Sequence, residues 1–193
     1  MALCACLLAG IGLPGCATHE PIVTPRIEQL STAIERYPDD YRLYSSRAFA
    51  YATARDEKSA RRDLRRAKEL GPTMPSIRWS AGWIEFNTGN YEAALAEWTE
   101  SIAMRPEPPT WAGWALALGH WRLGEHVVAM EHYDAALKLE ANSDFRRWNT
   151  LMTRTQSWTW HEKETIYDLH SAWQRSYREG TLPRGIEVPP SGE

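Results

Sequence analysis

Ten tryptophans stand between Trp79 and Trp173, and their spacing is the most chemically suggestive feature of this chain. Trp79, Trp83 and Phe86 recur at i, i+4 and i+7, while Trp111, Trp114, Leu118 and Trp121 recur at i, i+3, i+7 and i+10. On a helix each set occupies one face. An indole buries a large area at small entropic cost, and its N–H still donates a hydrogen bond. Such a face suits an extended peptide, an amphipathic helix or a sugar ring. Two readings remain open: an aromatic binding face, or rings that form core between neighbouring elements or are covered by the chain's own last helices or tail. The other residues that could do chemistry are less organised. No HExxH, nucleophile elbow or phosphate-cradling glycine loop occurs among the six histidines and twelve glycines. His126 and His132 are six positions apart, on different sides of a helix rather than at the i,i+4 spacing of a metal pair. His161 and His170 are likewise unpaired, with surface or cap roles. We therefore expect no metal, no cofactor and no enzymatic activity.

The elements that must position these rings repeat along the chain. In Trp79 to Pro106, Gly82 is a small residue where a second helix crosses closely, and residues 87–91 (NTGNY) read as a turn. Ala94 and Ser101 are small residues on the second helix, and Pro106 follows its end. Moving back 34 residues places Ala48, Ala60, Ala67 and Pro72 at the positions of Gly82, Ala94, Ser101 and Pro106. Moving forward 35 places Ala117, Ala129 and Ala136 at the first three and Gly124 at Gly89. The large residue between the small ones is Leu64, Trp98 or Tyr133 in turn. The extra residue falls in the loop Glu107-Pro108-Pro109.

This pattern resembles the tetratricopeptide repeat, a helix–turn–helix unit with a period near 34 residues. The resemblance covers residues 41 to 141 well and implies an all-α solenoid of three full repeats. Before it, residues 26–37 (RIEQLSTAIERY) match the second helix of a half-repeat closed by Pro38, and Asp39 and Asp40 are N-caps for the next helix. Thr110 is the expected N-cap of the third repeat. After it, a polar helix from Phe145 to Ser157 and a last helix behind the capping box Thr159-Trp160-His161-Glu162 would close the solenoid. Ile166, Leu169, Trp173 and Tyr177 mark the apolar face of that last helix. The domain reading is therefore a solenoid over 26–179 and a Gly/Pro-rich disordered tail over 180–193.

The resemblance also implies where a partner would bind. In such solenoids the first helices line a concave groove, which here would present Phe49, Trp79, Trp83, Phe86, Trp111, Trp114, Leu118 and Trp121. The Lys, Asn and Arg clamp that some family members use to hold a C-terminal carboxylate is not expected, because Trp79, Trp83, Trp114 and Leu118 stand on the corresponding faces. The second helix of the first repeat carries Arg61, Arg62, Arg65 and Arg66 on its outer side. They form either a solvated face with nearby carboxylates at i,i+4 or a contact for an anionic surface.

At the front, residues 1–18 (MALCACLLAGIGLPGCAT) form an apolar run ending in Leu13-Pro14-Gly15-Cys16. This is similar to a bacterial lipoprotein signal, which implies a signal peptide over 1–15, acylation of Cys16 and a tether over 16–25. The run lacks the usual preceding Lys or Arg, so an ordinary secretory signal or short anchor helix is the alternative. All three cysteines, Cys4, Cys6 and Cys16, lie in this region. No disulfide framework is therefore expected in the body. Ala17 after the cysteine implies the outer membrane, with the chain lipid-anchored and facing the periplasm. A formal net charge of −3 argues against a nucleic-acid partner.

The sequence thus reads as a membrane-anchored adaptor that holds a segment of another envelope protein in an aromatic groove. A module binding glycan or peptidoglycan through the tryptophans is the alternative. A structural subunit of a larger complex, working through the arginine-rich helix, is a third reading.

Overall fold

The computed structural model describes residues 22–139 and 146–182. Cys16 with its preceding run, and the tail from residue 183, lie outside the described residues. Among the described residues there are nine helices and no strand. They are α1 (Pro25–Arg36), α2 (Tyr41–Thr53), α3 (Glu57–Leu70), α4 (Pro75–Asn87), α5 (Tyr91–Ala103), α6 (Ala112–Arg122), α7 (His126–Lys138), α8 (Trp148–Arg154) and α9 (Trp160–Glu179).

Three antiparallel hairpins, α2–α3, α4–α5 and α6–α7, stack in sequence order, with α1 packed on α2 in front. At the other end α9 packs on α6 and α7. The fold is an all-α tetratricopeptide-type solenoid. Its turns follow from local chemistry. Gly89 and Gly124 adopt φ of 86° and 78° at equivalent positions between the helices of their hairpins, a region closed to most side chains. Arg55 takes the same role in the first hairpin at φ 65°. Thr24 and Asp40 cap α1 and α2, accepting from the Ile27 and Arg42 amides at 3.3 and 2.9 Å. The third repeat begins later than its sequence suggests. Trp111, not Thr110, is the N-cap, because the Pro108-Pro109 loop runs on for one further residue before α6 turns.

The small residues do what their spacing implies. A Cβ on Gly82 would lie 2.2 Å from Trp98 Nε1, so only glycine admits the indole that α5 lays across α4. Trp98 and Tyr133 are fully buried at matching places in the second and third hairpins, and Leu64 is 5% exposed in the first. The core falls into two clusters. One joins Ile27 of α1 to α2, α3 and the inner side of α4 at Ile77, Ala81 and Ile84. The other runs from Phe86 through α5, α6 and α7 to Ile166, Leu169 and Trp173 of α9.

Candidate functional site

The aromatic residues separate into two groups. Phe86 and Leu118 are fully buried and Trp114 is 7% exposed, so these three are core and not a surface for a partner. The physical reason is the neighbour: Phe86 packs against Trp98 and Tyr91 of α5, and Trp114 meets Tyr133 of α7 edge-on at 5.2 Å. Phe49, Trp79, Trp83, Trp111 and Trp121 are half-buried. Trp79 and Trp111 meet with centroids 3.7 Å apart across the second and third hairpins, and Arg105 stands over the Trp111 ring. Trp121 stacks on His126. Tyr177, expected on the inner face of α9, is 63% exposed and stacks on Trp173 instead.

The open space on the first-helix face lies beside α2. A cleft of about 1050 Å³ is walled by Ser45, Ser46, Phe49, Ala50, Thr53 and Ala54 of α2. Thr24 and Arg26 border it at the start of α1, Ser80 on α4, and Ser157 and Thr159 on the far side. Hydroxyls and small side chains dominate, with one aromatic and one guanidinium. Such a lining satisfies the backbone of an extended segment by hydrogen bonds while leaving room for its side chains. A second hollow, at Phe49, Trp83, Ser157, Trp158 and Glu162, continues it toward the second hairpin.

Its far wall is the turn between α8 and α9, which lies over α4. Trp158 rests edge-on against Trp83 at 6.2 Å. Thr159 and Glu162 form the capping box that the sequence indicates, with Thr159 Oγ1 accepting from the Glu162 amide and Glu162 Oε2 accepting from the Thr159 amide at 2.8 Å. The same two side chains reach Asn87 at the end of α4. Thr159 Oγ1 donates to Asn87 Oδ1 and Asn87 Nδ2 donates to Glu162 Oε1, both at 2.9 Å. Asn87 Nδ2 also donates to the Trp83 carbonyl, and Arg55 Nη1 donates to the Asn87 carbonyl. Asn87 and Glu162 are 3% and 5% exposed. Next in line, His161 faces Tyr91 and Arg122 at 3.0 and 3.3 Å. Burial first, then the Arg122 and Arg55 charges, holds its pKa below the ordinary value. The Arg122 guanidinium donates to Nδ1, so Nε2 carries the ring proton and donates to the Tyr91 hydroxyl.

Neither His161 nor His170 is a surface residue. His170 is fully buried, with Nδ1 2.8 Å from the Tyr133 hydroxyl, and burial pushes it down to about 4. The same burial raises the Tyr133 phenol. Asn87 and these tyrosine–histidine pairs are missed by sequence reasoning because 75, 70 and 37 residues separate the partners. The only local signal is the capping box.

On the outer side, Arg61 spans Glu57 and Glu85, Arg62 meets Asp63, and Arg66 meets Glu69 and Asp39. Arg65 is exposed. Carboxylates of this chain thus engage three of the four guanidinium groups considered for an anionic surface. Among the described residues no group of three or more His, Cys, Asp or Glu is placed to hold a metal ion. No described helix is long and apolar enough to cross a membrane.

Residues 80–144 match the family described as Tetratricopeptide repeat. The chain is similar to the Protein SGT1 homolog of Bos taurus, 28% identical over 88 residues, which are 46% of this chain and 26% of that protein. It is also similar to the Protein SGT1 homolog of Homo sapiens, 32% identical over 74 residues, 38% of this chain and 20% of that protein. The matched stretch is therefore about a quarter or less of either relative's length. The matched repeat lies within the stacked hairpins, so the fold is of the tetratricopeptide type, an architecture whose modules bind protein partners.

Proposed function

We propose that the chain is an adaptor that takes a segment of another protein into the cleft beside α2. The carrying observation is the cleft itself: about 1050 Å³, open, hydroxyl-lined and on the first-helix face. Phe49 supplies an aromatic contact and Arg26 a positive rim, so the part of the segment that lies in the cleft is extended and carries a carboxylate near that rim. In the finer reading, acyl chains on Cys16 hold the adaptor at the outer membrane, facing the periplasm, and the partner is another envelope protein. That reading is supported by the run Leu13-Pro14-Gly15-Cys16 alone. Anchoring would raise the partner's local concentration without requiring a tight cleft. The glycan reading gains nothing from the geometry, since a stacking ladder needs open ring faces and the rings of Phe86 and Trp114 are core.

The test uses Ser46→Arg/Thr53→Arg, which fills the cleft from two exposed positions of α2. Proteins captured from detergent-solubilised envelopes by the wild-type chain should be lost from this variant at unchanged helicity. Equal capture by both sinks the cleft as the binding site. Labelling with radioactive palmitate, abolished by Cys16→Ser, checks the anchor separately, and absence of label in the wild type would remove it.

A further inference from the structure

We propose that the α8–α9 turn is an internal occupant of the partner-binding face, and that its chemistry names the segment this face takes: an aromatic residue, then Ser or Thr opening a helix, then Glu three positions later. The inference rests on the adaptor reading above and deepens it. Trp158 supplies the aromatic ring against Trp83, Thr159 the hydroxyl to Asn87 Oδ1, and Glu162 the carboxylate to Asn87 Nδ2. Asn87 belongs to a different hairpin and spends both ends of its carboxamide on this turn. It therefore acts as a receptor for a helix-opening motif supplied from elsewhere. Any chain entering with the same motif presents the same donor and acceptor in the same places.

The turn is also built to leave. The rest of α9 is held by Ile166, Leu169 and Trp173 in the large core cluster, none of which is part of the clasp. The turn itself is held mainly by polar contacts: the two side-chain bonds to Asn87, Thr155 on the Tyr167 hydroxyl, Lys163 on the Gln156 carbonyl and His161 on Tyr91 and Arg122, with the Trp158 ring edge and the Phe86 ring as its aromatic contacts. It follows α8, which is only seven residues long. Segments with few buried apolar contacts open locally without global unfolding. An entering segment would then displace the turn from Asn87 and extend from there into the cleft beside Phe49, whose wall the turn forms.

The test uses the full chain and a synthetic peptide of residues 154–165 (RTQSWTWHEKET) as probe. In Thr159→Ala/Glu162→Ala the clasp is removed from the turn while Asn87 is kept. Amides of 155–164 should lose hydrogen-exchange protection while α2 to α7 keep theirs. The peptide should bind this variant saturably, about tenfold or more tighter than the wild type, whose own turn competes. A peptide carrying the same two alanines should not bind. Unchanged exchange at 155–164, or an opened variant indifferent to the peptide, overturns the proposal. Should the variant fail to fold, native-state exchange of the wild type in increasing urea decides: the turn must open at lower denaturant than α6 and α7, and opening only with the whole chain refutes the proposal. Capture that depends on Ser46 and Thr53 together with a silent peptide removes this inference and leaves the adaptor. Peptide binding with capture indifferent to the cleft does the reverse.

Discussion

His170 shows how one buried side chain couples this fold to pH. In the folded chain its imidazole stays neutral down to about 4, whereas the unfolded chain takes up the proton near the ordinary 6.5. Above pH 6.5 neither state carries the charge and the contribution to stability is complete. As pH falls from 6.5 toward 4 only the unfolded state gains the proton, so stability declines, by roughly 3 kcal/mol in all, and then levels off. His161 and His132, both held low chiefly by burial, act in the same direction. Urea midpoints measured across this range should fall with acid, and His170→Phe should flatten the fall. An unchanged slope would show that His170 is not its source. Gly82 is the second residue with a sharp consequence. An added Cβ meets Trp98 at 2.2 Å. Gly82→Ala should therefore cost about 3 kcal/mol or more by overpacking, and Trp98→Leu in the same chain should recover part of it. Thermal unfolding of the two variants, singly and together, measures the coupling. The glycine was legible in the sequence because a small residue recurs at its place in each hairpin. His170 was not, since burial at a helix position depends on which helix arrives opposite.

At the scale of elements, α3 separates structural from idle charge. Asp63 is 2% exposed and accepts from Arg47 Nη2 of α2 at 3.1 Å, so the pair fastens the first hairpin internally. Replacing Arg47 by Met leaves a buried carboxylate with only the peripheral Arg62, a loss of about 3 kcal/mol. Arg65→Glu on the exposed side should change stability by about 0.5 kcal/mol or less. Denaturant titration distinguishes the two, and equal effects would mean that the salt bridge contributes nothing. The excess of cations on this helix was plain in the sequence. Which of them meets a carboxylate was decided by packing, as with Arg61, whose partner Glu85 sits on the next hairpin. The α9 cap divides in the same way. Thr159 and Glu162 are close enough in sequence to be recognised as a capping box, but Asn87 receives them only because α9 begins at the end of α4 and packs along α6 and α7.

The whole molecule behaves as a stack with two cores that share α4, through Ile77, Ala81 and Ile84 on one side and Phe86 on the other. In a solenoid each unit leans on its neighbours, so damage in one core should spread less than in a globular domain. Leu64→Ala, which opens a cavity in the first core, should cost about 3 kcal/mol. Hydrogen exchange should then show α1 to α3 losing protection while α5, α6, α7 and α9 retain theirs. Uniform loss across all helices would mean that α4 couples the two cores into one cooperative unit.

What the sequence by itself determined is what is periodic or local. The 34-residue recurrence of small residues, the turn glycines and the capping box follow from steric rules that act over a few positions and repeat, and they are enough for an all-α repeat solenoid. Tertiary structure alone decided which aromatics stay exposed. Trp79, Trp83 and Phe86 share a helix face, yet Phe86 is buried by Trp98, Trp83 is half-covered by Trp158, and the open cleft lies beside α2 instead. Exposure is a property of what packs opposite, and that comes from the next helix at Phe86 and from a turn far along the chain at Trp83.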